Sequence, residues 1–128
     1  MAKVDRFEDL NVWNHAIEIG LKIYQLVESN HLVRDYRAKD QLIGAAISIS
    51  NNIAEGFEYN SNRQFIKYLA IAKGSAGELR SQLFLLVKAN KITEKEYEFL
   101  YQEMIQISSE IKGFIKYLKG FEQKKKGK

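Results

Sequence analysis

The sequence contains no proline and no cysteine. With no proline, nothing in the chain is forced to break a helix, which permits long uninterrupted helices and argues against a loop-rich all-β fold. With no cysteine there is no disulfide, no thiol nucleophile and no thiolate zinc site. No stretch approaches the roughly 18 unbroken apolar residues of a membrane span. The opening run Met-Ala-Lys-Val-Asp-Arg lacks the apolar segment of a secretory signal. A cytoplasmic protein with no membrane partner is expected.

What is present fits one globular domain. A chain of 128 residues, 45% apolar and 28% charged, can bury a single core. The net charge of +4 is unevenly placed. Residues 1–33 hold three basic and five acidic side chains, and residues 34–91 hold nine and five. Residues 92–120 hold four and five, and the last eight residues hold four lysines and one glutamate. Basic character therefore sits in the middle of the chain and in the tail, a mild footprint for nucleic acid.

Apolar spacing predicts four helices. The first begins near Asp9, a good N-cap, with Leu10, Trp13, Ile17, Leu21 and Tyr24 at three- and four-residue intervals. Val12, Ala16, Ile19, Ile23 and Leu26 widen that stripe, leaving Asn11, His15, Glu18, Lys22 and Gln25 as a narrow wet side. The run Glu28-Ser29-Asn30-His31 ends it. The second helix starts at Asp35 or Tyr36 and runs to Gly56, read as the glycine just past a helix end. Ser61 with Gln64 has capping-box spacing and opens the third, whose stripe is Phe65, Tyr68, Leu69, Ala72, Ala76, Leu79, Leu83 and Leu86. After Asn90-Lys91-Ile92, Thr93 with Glu96 opens the fourth. Its inner face is Tyr97, Leu100, Tyr101, Met104, Ile107, Ile111, Ile115 and Leu118, and Gly120 is expected to end it. Residues 1–120 thus read as one helical domain and residues 121–128 as a basic, disordered tail.

Two surfaces stand out. On the second helix the non-apolar arc carries Gly44, Ser48, Asn51, Asn52 and Glu55, where a solvated face usually carries Lys, Glu, Gln and Arg. Ser and Asn compete for backbone hydrogen bonds mid-helix, so a row of them suggests close contact with something. On the back of the third helix Ala70, Gly74, Gly77 and Ser81 recur at four, three and four residues. Each interior glycine costs up to ~1 kcal/mol against alanine, and close approach of another backbone is the expected return. Ser48, Asn51, Asn52, Glu55 and Gly56 are therefore read with Gly74, Gly77 and Glu78 as close-packing or assembly residues. Glu55 and Glu78 serve there as hydrogen-bond acceptors at a buried junction.

Four helices on short loops give an antiparallel up-down-up-down four-helix bundle, all-α, as the default. The first two helices are too apolar around their circumference for a lone bundle, which favours a homo-oligomer. Catalysis is not expected. His15 and His31 read as ordinary surface residues, with no nucleophile and base brought together. Glu28-x-x-His31 occurs once, where a di-iron bundle needs two such motifs and further glutamates, so no metal or cofactor is expected. Lys73-Gly74-Ser75 lies mid-helix, without the strand-turn-helix context of a phosphate loop.

At Phe7 to Trp13 (F-E-D-L-N-V-W), Ser48 to Gly56 (S-I-S-N-N-I-A-E-G) and Phe65 to Leu79 (F-I-K-Y-L-A-I-A-K-G-S-A-G-E-L), the chain resembles a known family. This is the four-helix-bundle family encoded in intervening sequences of bacterial large-subunit rRNA genes. It is also similar to the accessory variability proteins of diversity-generating retroelements. The resemblance implies a non-catalytic homopentameric ring that binds RNA or DNA through basic surfaces, alone or with a protein partner. The chain departs from the pattern at Ile43 and Gly44, where the family usually has an arginine pair. It departs again at Glu58, Tyr59 and Asn60, where basic residues are usual, and at Ser50, where a proline is common. Phosphate contacts then fall to Arg63, Lys67, Lys73, Arg80 and Lys88 of the third helix, with Lys124, Lys125 and Lys126 in the tail. A ring with no nucleic-acid role, acting as a structural or protein-interaction scaffold, is the alternative.

Overall fold

A computed structural model describes residues 4–29 and 31–126, with side chains as far as residue 124. Four α-helices account for most of it: α1 (Asn11–Val27), α2 (Tyr36–Glu58), α3 (Asn62–Lys88) and α4 (Glu94–Lys126). A single 3₁₀ turn, Phe7–Asp9, precedes them. No strand occurs among the described residues. None of the described helices is long and apolar enough to cross a membrane. Expectations for residues 1–3, for Asn30 in the first loop and for Gly127 and Lys128 fall outside the described residues.

Three helices start where their local chemistry dictates. The Asp35 carboxylate accepts from the Ala38 backbone N–H at 3.2 Å, and the Ser61 hydroxyl accepts from that of Gln64 at 3.4 Å. Thr93 and Glu96 cap reciprocally: Thr93 N–H donates to Glu96 Oε1 at 2.8 Å, and Glu96 N–H donates to Thr93 Oγ1 at 3.0 Å. Such bonds satisfy donors that the first turn leaves free. Asp9 is not a cap; it closes the 3₁₀ turn, and α1 starts two residues later after Leu10, which offers no side-chain bond.

The helix ends differ from expectation. Gly56 lies inside α2, which continues to Glu58, and Gly120 lies inside α4, which continues to Lys126. Neither glycine is needed to reverse the chain, because no glycine among the described residues has a positive φ. Asn60 (φ 54°) and Asn90 (φ 60°) take the left-handed positions instead, a conformation that Asn tolerates better than most residues.

The core runs the length of the helices, and α3 packs against both α2 and α4. Ala72, Ala76, Leu79 and Leu83 of α3 are fully buried, as are Ile49 and Ile53 of α2 and Met104, Ile107 and Ile111 of α4. Helix α1 lies against α2 and only sparsely against α4. Its buried side is Val12, His15, Ala16, Ile19, Ile23, Leu26 and Val27. The stripe Ile17, Leu21 and Tyr24, which the spacing equally favoured for the core, is exposed.

Candidate nucleic-acid interface

Helix α3 buries one face and turns the other to solvent. Arg63, Lys67, Lys73, Arg80 and Lys88 are all exposed. At about 100° per residue they span an arc of about 140° opposite the buried stripe. Ala70, Gly74, Gly77 and Ser81 are exposed too, and they fill the middle of that arc. A Cβ built at Gly74 or Gly77 meets nothing within 4 Å. This corrects the expectation of close packing inside the chain: the small residues lie between Lys73 and Arg80 on one side and Lys67 on the other, with Arg63 and Lys88 in line with them.

The cations are electrostatically free. None of the ion pairs among the described residues involves Arg63, Lys67, Lys73 or Arg80. Lys88 lies 5.4 Å from the centre of the Phe84 ring. Phe84, Tyr97 and Tyr101 stand beside Gly77 and Arg80, and an unpaired cation at the edge of this arc can approach a phosphate without first breaking an ion pair.

The polar arc of α2 resolves into separate parts. Ser48 and Asn52 are half-buried and turn towards α3. Asn52 Nδ2 donates to the Ser48 carbonyl at 2.8 Å and to its hydroxyl at 3.0 Å. The Ser48 hydroxyl shares a 2.8 Å hydrogen bond with that of Ser75. The partner of the arc is thus Ser75, one residue from the expected glycine line. Gly56 makes the close approach: a Cβ there would stand 2.6 Å from Tyr68 Cβ. Asn51, Glu55 and Glu78 are exposed. No hydrogen bond or ion pair among the described residues includes Glu55 or Glu78, so they pin no buried junction.

At the same α2–α3 turn Tyr59 and Tyr68 stack, with ring centres 5.3 Å apart and planes within 16°. The Tyr68 hydroxyl donates to that of Tyr59 at 3.2 Å. This bond, then partial burial and the nearby Glu55 charge, pushes the Tyr68 phenol up to about 12 from 10.0. The neutral phenol is the form the fold favours. Its contribution is therefore complete below pH 10 and is lost as pH rises through about 12. Absorbance titration of phenolate should show one tyrosine ionising near 12, and Tyr59→Phe should return it towards 10.

His15 departs most from its sequence reading. It is only 9% exposed and lies between two carboxylates of α4. Nδ1 meets Glu110 Oε1, and Nε2 lies 3.4 Å from Glu103 Oε1. Each ring nitrogen thus faces a carboxylate oxygen of α4. The carboxylates reach opposite sides of the ring, and no group among the described residues has the arrangement of a metal site. Only the seven-residue spacing of Glu103 and Glu110, two turns of one helix face, hinted at a shared neighbour.

The model of the 23S rRNA-intervening sequence protein family matches residues 8–113. The chain belongs to this family. The matched residues take in α1, α2, α3 and α4 as far as Gly113, and include every cation of the α3 track. Among solved structures, the family chain is similar to a Bacteroides thetaiotaomicron protein of unknown function from the S23 ribosomal protein family. The two are 28% identical with a TM-score of 0.75, over 82% of this chain and 98% of that one. Comparison with curated proteins gives no match.

Proposed function

We propose that this intervening-sequence protein is a non-catalytic, cytoplasmic accessory protein that binds RNA or DNA along the outward face of α3. In this reading its helices form an antiparallel up-down-up-down bundle, and copies of it assemble into a ring. The resemblance described above implies five subunits. The observation that carries the reading is the track of exposed, unpaired cations flanking Ala70, Gly74, Gly77 and Ser81. Repetition around a ring multiplies individually weak phosphate contacts.

The subunit contact in this reading is the exposed apolar stripe of α1. Leu21 is 59% exposed, and with Ile17, Tyr24 and Ile47 it surrounds a shallow groove floored by Gly20. Four large apolar side chains on neighbouring helices are more than a monomer usually leaves in water as one patch. The same patch, with Ile43 and Gly44 replacing the family's arginines, favours the second reading: a ring that scaffolds a protein partner and binds no nucleic acid.

One set of measurements separates these readings. Binding of the purified protein to single-stranded RNA is expected to weaken steeply from low to physiological salt. The log–log slope should be about −0.7 per phosphate contacted. Lys73→Gln with Arg80→Gln should make it shallower by about 0.7 per lost contact, and Gly77→Leu should obstruct the track while leaving the fold intact. Undetectable or salt-insensitive binding sinks the first reading and leaves the scaffold. The mass of a single chain by light scattering sinks the ring in both.

A further inference from the structure

A cleft of about 380 Å³ opens where the α2–α3 turn meets the last third of α4. Val4, Leu10 and Leu118 line part of it, and the rest of its apolar wall is a run of aromatic rings. Phe57 meets Phe65 edge-on at 5.9 Å and Phe65 meets Phe114 at 5.1 Å. Phe114 meets Tyr117 at 6.3 Å, and Tyr117 meets Phe121 at 5.0 Å and 88°. The first three are half-buried or buried and stabilise the fold, whereas Tyr117 is 41% exposed and Phe121 42% exposed. Along the rim stand Asn60 and Asn62, whose side-chain amides take part in none of the hydrogen bonds among the described residues.

Exposed cations stand on both sides of the cleft. Lys112, Lys116, Lys119 and Lys124 are exposed on this stretch of α4, and Arg63 and Lys67 are exposed at the start of α3. Within three residues of a lining residue stand six carboxylates, Asp5, Glu8, Asp9, Glu55, Glu58 and Glu122, against these six cations and Arg6, which is paired with Asp9 at 3.4 Å.

We infer that this cleft receives an unstacked base of a single-stranded nucleic acid whose phosphates run over the neighbouring lysines. The inference rests on the nucleic-acid reading above and adds base contact to phosphate contact. Exposed ring faces offer stacking to any base. Free amides offer both a donor and an acceptor to a base edge. The cations match the backbone that accompanies the base. A duplex keeps its bases inside and gains only the phosphate contacts.

The test uses the full chain in its solution assembly and three fluorescein-labelled probes of equal length: an oligoadenylate, its fully abasic counterpart and a duplex. The oligoadenylate is expected to bind on the order of tenfold tighter than the abasic strand, within the range of base-stacking contributions. Phe121→Ala and Tyr117→Ala should each remove most of that preference without changing the salt slope, while Phe121→Trp should keep it. If Phe121→Ala lowers the melting temperature, Asn62→Asp decides, since a rim carboxylate repels the strand without disturbing the wall. Equal binding of intact and abasic strands overturns the cleft but leaves the α3 track standing. No binding of any probe overturns both. A change of particle mass in the Phe121 or Tyr117 variants with base preference intact makes the cleft a subunit contact and overturns the inference.

Discussion

Gly56→Ala is expected to destabilise the chain by about 1–3 kcal/mol, the range for forcing an extra carbon into a packed site. The added Cβ would lie 2.6 Å from Tyr68 Cβ, 3.1 Å from Phe65 Cδ1 and 3.4 Å from Phe65 Cα. The tightest of these contacts is at the root of a side chain and another is to backbone, so relief requires α2 and α3 to move apart. Alanine's better helix propensity returns at most ~1 kcal/mol, which is too little to reverse the sign. Thermal unfolding should shift down by on the order of 4 °C per kcal/mol for a chain of this size. Gly77→Ala is the control with the opposite sign. Its Cβ meets nothing within 4 Å, so only the propensity gain remains and the melting temperature should rise. Equal shifts at the two positions would refute the distinction between a packed and an open glycine.

His15→Leu is expected to cost about 1–3 kcal/mol, although leucine fills much of the same volume and is more apolar. The loss comes from the carboxylates of Glu103 and Glu110, left facing an apolar group instead of the ring nitrogens. Their side chains are 21% and 35% exposed, so water relieves part of the penalty and holds it below the 3–5 kcal/mol of a fully buried pair. Urea unfolding of His15→Leu, Glu110→Leu and the double variant gives the coupling directly. The double variant should be more stable than the sum of the single losses predicts. Strict additivity would show that the imidazole and the Glu110 carboxylate do not act together.

How much of this was legible depends on how local the governing physics is. The starts of α2, α3 and α4 are set by a side chain and a backbone N–H three residues away, so Asp35, Ser61 with Gln64 and Thr93 with Glu96 marked them. The ends were misplaced at Gly56 and Gly120 because a glycine signals a turn only when its φ freedom is used. At Gly56 its missing side chain is used instead, and that depends on Phe65 and Tyr68 of another helix. Helix α1 carries two apolar stripes, and spacing alone does not say which one the other helices cover. The same limit hid His15, which shares an arc with Asn11, Glu18, Lys22 and Gln25 but lies under α4. The cations of α3 were legible as charge; their freedom from ion pairs and the openness of the track between them were not.

The length of α4 carries one more consequence. Its 33 residues extend about 50 Å, and the exposed Lys116, Lys119 and Lys124 ride on formed helix, Lys124 where a slack tail was expected. A slack tail must give up conformational entropy before its charges can settle on a partner, about 1–2 kcal/mol per residue fixed. Here that entropy is surrendered when the chain folds, so these three lysines meet a partner at a set spacing. In the nucleic-acid reading proposed above, the end of α4 would act as a ruler, favouring partners whose negative charges repeat to match it over those that are merely negative.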